Sequence, residues 1–504
     1  MATQQSLLEK PKKPVSKTIC LLLSVIAVLS SSAFLASYIF KPSSVFNDSS
    51  LNHVCHHALD TTSCLAHISE VTQTHMFTTT KRHKFDLLKS FLIKHASHIE
   101  KAMGETNAIR LRVNNPREEA ALKDCVDLME LSLDRVWNSM LALTKQTTES
   151  QQDAHTWLSS VLTNHATCLD GLEGAARSVM EDELEDLKST KWGLSLDGSG
   201  KFKTVTEAVA SAPDNGNTRY VIYVKKGTYK EHVEIGKKKK NVMLVGDGMD
   251  ATIITGSLNF IDGTTTFNSA TVAAVGDGFI GQDIWFQNTA GAAKHQAVAL
   301  RVGADQSVIN RCRIDAFQDT LYAHSNRQFY RDSVITGTID FIFGNAAVVF
   351  QKCNLVARKP MSNQKNMVTA QGREDPNQNT GTSIQQCNLT PSSDLKPVVG
   401  SIKTYLGRPW KKYSRTVVMQ SSIDSHIDPT GWAEWDAQSK DFLQTLYYGE
   451  YMNSGAGAGT SKRVNWPGYH IITSAAEASK FTVTQLIQGN VWLKNTGVNF
   501  IEGL

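Results

Sequence analysis

Two kinds of hydrophobic spacing divide the chain. Between Leu51 and Lys188, apolar residues recur every three or four positions, as they do on one face of a helix. In the clearest stretch the apolar stripe is formed by Leu122, Val126, Met129, Leu133, Val136 and Met140. Glycine is scarce here and the periodic stretches are long, which predicts a small helical bundle.

After Trp192 the apolar segments become short, β-branched and separated by glycine, as in VIYVKKG, NVMLVG and ATIITG. The pattern NRCRI returns as RDSVI, QKCNL and QQCNL. Its third positions, at intervals of 21, 20 and 34 residues, are Cys312, Ser333, Cys353 and Cys387. A repeat near 20 residues with one strand-like core position is typical of a parallel β-solenoid. An all-β sandwich would not explain why these residues occupy the same position in each repeat.

The N-terminus carries an export signal. Residues 18–40 are 23 positions without a charge, and four lysines precede them in the tail 1–17. About 20 apolar residues span a bilayer, and the lysines favour a cytoplasmic tail. The segment is either a signal-anchor or a cleaved signal peptide, and we expect no other membrane contact. Export would make the sequons at Asn47 and Asn388 glycosylation sites.

Composition indicates a globular protein, with 41% hydrophobic and 20% charged residues. The net charge of +4 is mildly basic and is not concentrated in a patch. The one dense run, Lys237–Lys240, precedes a predicted strand and is interpreted as a solvated turn. We therefore expect no nucleic-acid partner.

Cysteines in an exported chain are candidates for disulfides. The helical part contains Cys55, Cys64, Cys125 and Cys168, which allow three pairings. If the extra residues between Cys353 and Cys387 form a loop, the two lie on adjacent turns, about 4.8 Å apart, within disulfide range. Cys312 then faces Ser333, and we expect it to be a buried free thiol.

Four polar residues share the solenoid interval. Gln296 and Gln318 are 22 residues apart, and Asp319 and Asp340 are 21 apart. One-turn offsets would bring two amides and two carboxyl groups to one face. Neighbouring carboxyl groups separate in pKa, so that one is a charged nucleophile and the other a proton-bearing acid. The amides would hold an oxygen that becomes negative. Turn caps and a structural amide ladder would explain each residue singly, but not the shared register.

Asp340 lies among apolar residues in TIDFIFGN, where a charge is costly unless it is paired or used. Arg408, in LGRPW, would keep it ionised. Trp410 in the same motif offers a flat face for a sugar ring. The alternative for this motif alone is a surface loop with a half-buried tryptophan.

These motifs resemble the plant pectin methylesterases, in the long form whose pro-region is similar to pectin methylesterase inhibitors. The resemblance covers nearly the whole exported chain. In the second half it rests on TTFNSATVAAVGDGFIG, KHQAVALRVG, QDTLYAHSNRQFY, DFIFGNAAVVFQ and LGRPWKKYSRTVVMQS. In the first half it rests on DCVDLMELSLDRV and TWLSSVLTNHATCLDGLE.

The resemblance implies an N-terminal all-α four-helix bundle and a C-terminal all-β right-handed parallel β-helix. The expected divisions are a cytoplasmic tail at 1–17, a signal-anchor or signal peptide at 18–40, an inhibitor-like bundle at 51–180, a linker at 181–193 and a catalytic β-helix at 194–504. The implied disulfides are Cys55–Cys64, Cys125–Cys168 and Cys353–Cys387. Lys188 and Lys191 are the only basic residues in LEDLKSTKWGLSLDGSG, so the usual basic processing motif is absent.

The implied reaction is hydrolysis of the methyl esters of homogalacturonan, without metal or organic cofactor. Asp340 would attack the ester carbonyl to form an acyl-enzyme, while Gln296 and Gln318 steady the oxyanion. Asp319 would protonate the departing methoxide and then deprotonate the water, and Arg408 would bond to Asp340. The positions that match substrate contacts are Thr266, Gln296, Arg408 and Trp410. The expected partners are pectin and either the chain's own pro-region or separate inhibitor proteins, in the cell wall after secretion.

Two rival functions fit these residues less well. A pectin-active glycosidase needs two carboxyl groups but has no use for paired amide donors. A non-catalytic inhibitor or wall-binding protein would not need every catalytic position intact. For the helical part, masking of the catalytic cleft in cis and assistance in folding and secretion both fit the sequence.

Overall fold

The computed structural model has two parts, three long helices and a β-helix. It describes residues 81–111, 113, 115–145, 147–171 and 202–504. The predicted tail, the segment 18–40, the linker 181–193, Asn47, Cys55 and Cys64 lie outside the described residues. Among the described residues, no helix combines the length and apolarity needed to cross a membrane.

The helical half consists of α1 (Lys81–Arg110), α2 (Pro116–Lys145) and α3 (Thr148–Gly171). The predicted stripe on α2 faces the interior: Leu122, Val126, Met129, Val136 and Met140 are buried, and Leu133 is half-buried. A disulfide between Cys125 and Cys168 joins α2 to α3. Within the described residues, the helical half is therefore an arrangement of three helices. The fourth helix of the predicted bundle is not among them.

The β-helix is built from three parallel sheets that contribute one strand each to a turn. Sheet one contains β1 (Tyr220–Val224), β4 (Val242–Gly246), β7 (Ile280–Gln282), β10 (Ser307–Asn310), β13 (Arg327–Arg331), β16 (Ala347–Gln351), β19 (Gly381–Gln385), β22 (Arg415–Met419), β24 (Tyr447–Tyr451) and β25 (Tyr469–Ile471). Sheet two contains β2 (Gly227–Lys230), β5 (Thr252–Gly256), β8 (Trp285–Asn288), β11 (Arg313–Asp315), β14 (Val334–Gly337), β17 (Asn354–Ala357), β20 (Asn388–Pro391) and β23 (Ser422–Ile423). Sheet three contains β3 (Val233–Ile235), β6 (Val272–Ala274), β9 (Leu300–Val302), β12 (Leu321–Ala323), β15 (Ile342–Gly344), β18 (Asn366–Gln371) and β21 (Thr404–Pro409).

A single residue with a left-handed backbone turns the chain from sheet one to sheet two. This conformation recurs at Asp283, Arg311, Asp332, Lys352, Gln386 and Gln420. Non-glycine residues adopt it rarely, so its repetition shows that the stacked turns impose it. The sharp corner fixes the register and lets equivalent residues stack from turn to turn.

The position after this corner explains the repeat seen in the sequence. It is occupied by Cys312, Ser333, Cys353, Cys387 and Ser421, all buried. Each side chain donates to the carbonyl two residues earlier, as Ser333 does to Arg331 at 2.9 Å. It also accepts the backbone N–H of the preceding turn, as Ser333 does from Cys312 at 3.0 Å. The predicted solenoid ladder is confirmed, and it satisfies backbone groups in the interior.

Short helices close the β-helix. The first, α4 (Val205–Ala210), has a capping box formed by Thr204 and Glu207 and packs at the N-terminal end. The others are α5 (Phe442–Thr445), α6 (Ala475–Ser479), α7 (Val483–Ile487) and α8 (Gly489–Trp492). Residues of α7 and α8 cover an apolar face of sheet one. Sheet three is left to face the helical half.

Candidate active site

The outer face of sheet three carries a ladder of side chains that forms the floor of a groove. Successive turns hold in register Ala273, Arg301, Tyr322, Phe343, Ala370 and Arg408. Tyr322 and Phe343 stack with their ring centroids 4.1 Å apart. The middle of the groove therefore has a flat aromatic floor, with an arginine on either side of it.

Asp319 and Asp340 lie just before strands β12 and β15, on adjacent turns. The backbone N–H of Asp319 donates to the carbonyl of Ile339 at 3.0 Å, which sets the two aspartates side by side. Both have left-handed backbones, with φ of 61° and 50°. Strained residues of this kind cluster at functional sites. Both are buried, with exposures of 7% and 5%.

Arg408 on β21 holds Asp340 through a two-point ion pair. Its Nε donates to Oδ1 at 2.8 Å and its Nη2 to Oδ2 at 2.6 Å. The guanidinium also packs on Trp435, 4.1 Å from the ring centroid. A bidentate pair of this type is among the strongest hydrogen-bonded contacts of a carboxylate.

The two carboxyl groups have different electrostatic surroundings. Burial, followed by the charge of Asp340, raises the pKa of Asp319 well above its ordinary value. Burial raises the pKa of Asp340 too, but the hydrogen bonds and charge of Arg408 oppose that rise. The surroundings therefore oppose ionisation more strongly at Asp319 than at Asp340, whose carboxylate is held by Arg408.

Gln296 and Gln318 occupy equivalent positions on adjacent turns, joined by a parallel backbone bridge. Both line the same cavity as the two aspartates. A side-chain amide donates hydrogen bonds without carrying a charge. Two such donors beside a buried carboxylate are suited to an oxygen that becomes negative during attack on a carbonyl.

One cavity of about 490 Å³ gathers these groups. Thr266 and Trp410 line it as well, so all seven residues predicted for catalysis and substrate contact meet there. Trp410 packs over Gly372, where a Cβ would come within 2.7 Å of the indole. The missing side chain lets the indole lie close to the groove floor.

The helical half forms the opposite wall of this cavity. Helix α2 contributes Asp124, and α3 contributes Thr167 and Asp170. The hydroxyl of Thr167 lies 3.0 Å from Nε2 of His324, and Asp170 accepts a hydrogen bond from Lys411 at 2.7 Å. The helices thus cover the groove in the intact chain.

Ion pairs outside the cavity fix the helical half in place. Arg135 on α2 donates two hydrogen bonds to Asp277, at 2.8 and 2.5 Å. Arg327 on β13 pairs with Asp305 at 2.7 Å and with Asp153 of α3 at 2.8 Å. These contacts join α2 and α3 to separate turns of the β-helix, which fixes the orientation of the helical half.

The remaining predicted residues have mixed outcomes. Cys312 is a buried free thiol, as expected. Cys353 and Cys387 lie on adjacent turns as predicted, but both are thiols, and the expected disulfide between them is not formed. The two thiols hydrogen-bond to each other, and each sulfur also lies near the backbone carbonyl two residues earlier, at 3.6 Å for Cys353 and 3.4 Å for Cys387. Asn388 is exposed on β20, where a glycan would be tolerated.

Several groups at the site were not predicted. Arg301 and Tyr322 belong to the floor, and Trp435 packs on Arg408. In the sequence, Arg301, Tyr322 and Phe343 follow one another at intervals of 21 residues. It equals the interval from Asp319 to Asp340 and would have placed these side chains on the same face.

The chemistry of the cavity is nucleophilic. It contains a carboxylate paired with an arginine, a second carboxyl group one turn away whose pKa is raised by burial, and two neutral amide donors, which together suit acyl transfer. Within the described ranges, no three His, Cys, Asp or Glu side chains form a group that could hold a metal ion.

Family models match both halves of the chain. The model described as "Pectinesterase" matches residues 193–490, and that described as "Plant invertase/pectin methylesterase inhibitor" matches residues 49–203. "Pectinesterase/pectinesterase inhibitor 18" of Arabidopsis thaliana is 54% identical, with 100% of each chain covered. "Pectinesterase 2.1" of Solanum lycopersicum is 54% identical over 90% of each chain.

Solved structures match the β-helix. "Pectin methylesterase from Carrot" is 61% identical with a TM-score of 0.62, and the match covers 64% of this chain and 100% of that one. A pectin methylesterase from Aspergillus niger is 29% identical with a TM-score of 0.52, covering 61% of this chain and 97% of that one.

Proposed function

Since this chain belongs to the pectinesterase family and carries an inhibitor-like helical half, we propose that it hydrolyses the methyl esters of homogalacturonan through an acyl-enzyme on Asp340. It is a carboxylic ester hydrolase, and pectin is the substrate that its family implies. The products are methanol and a free carboxylate on the polymer. The observation that carries the proposal is that Asp340, ion-paired with Arg408, lies beside the buried Asp319 and the two glutamines in one cavity.

In the first half of the reaction, an ionised oxygen of Asp340 attacks the ester carbonyl. The carbonyl oxygen becomes negative and accepts hydrogen bonds from the amides of Gln296 and Gln318. The tetrahedral intermediate collapses, the bond to the methoxy group breaks, and Asp319 gives that oxygen its proton. Methanol leaves, and Asp340 is joined to the sugar acid as an anhydride.

In the second half, Asp319 is ionised and acts as a base. It takes a proton from a water molecule, whose oxygen attacks the carbonyl of the sugar acid. The same amides hold the second oxyanion, and the bond to Asp340 breaks. Asp340 is again a carboxylate paired with Arg408, Asp319 is again protonated, and the product acid releases its remaining proton to the solvent.

The helical half masks the cleft in cis. Asp124, Thr167 and Asp170 occupy the side of the cavity that a polymer would have to enter. The alternative, that the helices only assist folding and secretion, would not require their side chains to bond to the groove. The ion pair between Arg135 and Asp277, in which the arginine is buried, supports the docked position of the helices.

The finer assignments follow from membership of the family. They are a right-handed coil, a four-helix bundle completed by residues outside the described ranges, the boundaries 51–180 and 194–504, glycosylation at Asn47 and Asn388, and secretion to the cell wall. The pairing of Cys55 with Cys64 belongs with them. Separate inhibitor proteins would compete for the surface that the helical half covers.

Methanol release and polymer length together test this function. A protease site placed within 181–193 allows the folded chain to be cut and the helical half to be removed. The cut protein should release methanol from methyl-esterified homogalacturonan and leave the polymer length unchanged. The intact chain should release much less. A shortened polymer would indicate a glycosidase, and equal rates before and after cutting would refute masking.

A further inference from the structure

Arg358, the residue after strand β17, reaches across one turn of the β-helix to the end of strand β11. Its Nη1 donates to Oδ1 of Asp315 and to the backbone carbonyl of Ala316, both at 3.0 Å. The guanidinium also lies 3.8 Å from the ring centroid of Phe317. One side chain therefore holds three consecutive residues of a turn that is not its neighbour.

Gln318 and Asp319 follow these three residues directly and have no other support for their side chains. Arg408 holds the carboxylate of Asp340 through two hydrogen bonds. Among the described residues, by contrast, no group hydrogen-bonds the carboxyl group of Asp319 or the side-chain amide of Gln318. The direction of both side chains is therefore set by the backbone that carries them.

Backbone hydrogen bonds link three successive turns at this corner. The N–H of Thr338 donates to the carbonyl of Phe317 at 2.8 Å, and the N–H of Arg358 donates to the carbonyl of Gly337 at 2.7 Å. The turns are closely packed, since a Cβ at Gly337 would come within 2.8 Å of the carbonyl oxygen of Phe317. A displacement of Phe317 would thus change the offset between the two catalytic turns.

We propose that Arg358 is a positioning residue, which fixes where Gln318 and Asp319 stand relative to Asp340 by holding the three residues before them. The inference rests on the proposed esterase function and deepens it. Arg358 is not among the described residues that line the cavity, so it acts without touching the polymer. Rate depends on such alignment, because a displacement of about 1 Å at reacting groups costs about 100-fold.

The cut protein provides the test, with kcat and KM measured on methyl-esterified homogalacturonan. In Arg358→Met the long apolar side chain is kept on the ring of Phe317, and the guanidinium is lost. Arg313→Met is the matched control, because Arg313 also packs on an aromatic ring, Trp285 at 4.7 Å, and pairs with a carboxylate, Asp250 at 2.7 Å. Both partners of Arg313 belong to earlier turns, so the control leaves the contacts of Arg358 in place.

The kcat of Arg358→Met should fall about 10- to 100-fold, while KM stays unchanged, because the polymer still binds but the reacting groups are misaligned. The alkaline limb of the kcat/KM profile should move to lower pH. Burial and the charge of Asp340 raise the pKa of Asp319, so a displaced Asp319 loses its proton more readily. Arg313→Met should match the wild type in all three quantities. An arginine that only stabilises the fold would leave the limb where it is.

Carbon-13 NMR of the aspartate carboxyl groups gives a readout that does not depend on catalysis. The signal of Asp319, assigned with Asp319→Asn, should titrate at lower pH in Arg358→Met than in the wild type and in Arg313→Met. An unchanged titration, a loss confined to KM, or a kcat equal to that of Arg313→Met would overturn the positioning role.

Two further outcomes are also decisive. If Arg358→Met does not fold, Phe317→Leu removes the ring under the guanidinium and should give the same fall in kcat and the same shift of the limb; wild-type values would refute the proposal. Absence of methanol release by the wild type would count against the esterase, while the titration of Asp319 would still decide whether Arg358 positions it.

Discussion

If the helical half masks the groove as proposed, removing the positive charge of Arg135 should activate the intact chain without altering the groove itself. Arg135 lies on α2, and its side chain is 7% exposed. It donates two hydrogen bonds to Asp277, at 2.8 and 2.5 Å. The substitution Arg135→Gln keeps most of the side-chain volume but leaves Asp277 facing the interface without its cation.

The size of the effect follows from the burial of the pair. Breaking a buried ion pair by removing one partner costs about 3–5 kcal/mol. The Asp277 side chain is 28% exposed, so water recovers part of the loss, and we take the lower end, about 3 kcal/mol. At about 1.4 kcal/mol for each factor of ten, the fraction of molecules with an open groove should rise about 100-fold.

Methanol release by the intact, uncut chain measures this fraction directly. The rate of the Arg135→Gln chain should rise about 100-fold over wild type, or up to the rate of the cut protein if that is reached first. Lys123→Gln is the control, because its ion pair with Asp127 on the same helix is exposed, and exposed pairs contribute about 0–1 kcal/mol. The rates of the two variants after cutting should equal that of the wild type.

Two results would refute this reasoning. If the intact wild type is already as active as the cut protein, the helices do not mask the groove. If Arg135→Gln is no more active than Lys123→Gln, the buried ion pair does not hold the helices in place.

The remaining predictions concern pH and stability. Arg408→Gln removes the group that opposes the raised pKa of Asp340, so the acid limb of the kcat/KM profile should move to higher pH; an unchanged limb would contradict the pairing. Burial raises the pKa of Asp124 from 3.8 to about 7, so docking of the helices should be tightest below about pH 4 and weaken as the pH rises to 7, while Asp124→Asn should flatten this dependence of methanol release on the intact chain. Glu450 and Arg463 form an ion pair in which both side chains are 2% exposed, so Glu450→Gln should lower the free energy of unfolding in urea by about 3 kcal/mol; a loss below about 1 kcal/mol would argue against the pair.

The site could be predicted because a solenoid converts sequence intervals into neighbours. Gln296 and Gln318, 22 residues apart, are joined by a backbone bridge. Asp319 and Asp340, 21 apart, lie on adjacent turns through the contact with Ile339. The same interval of 21 residues links Arg301 to Tyr322. A single arginine in a strand pattern, however, gives no indication that its side chain is buried.

The predicted disulfide shows the limit of such arithmetic. Register placed Cys353 beside Cys387, and the structure agrees. Register does not decide whether two neighbouring sulfurs are bonded to each other. At this position serine and cysteine side chains alike donate to the carbonyl two residues earlier, as Ser333, Ser421 and Cys353 do, and the two cysteines remain thiols.

The docking of the helices was beyond prediction from the sequence for another reason. Arg135 and Asp277 are separated by 142 residues, and Asp124 and Thr265 by 141. No periodic pattern in the sequence relates a position on a helix to a position on a solenoid turn. The partners of these charged residues can therefore be identified only from the structure, in which the two halves pack together. The sequence therefore left masking and assistance in folding as equal alternatives.

The most direct measurement of the central claim is methanol release by the cut Asp340→Asn protein. Asparagine keeps the shape of the side chain but has no ionised oxygen with which to attack the ester. The rate should fall by at least about 10³-fold, with binding of the polymer retained, as expected for a group that acts only in the reaction. A rate within tenfold of the wild type would mean that another group forms the acyl-enzyme, or that none is formed.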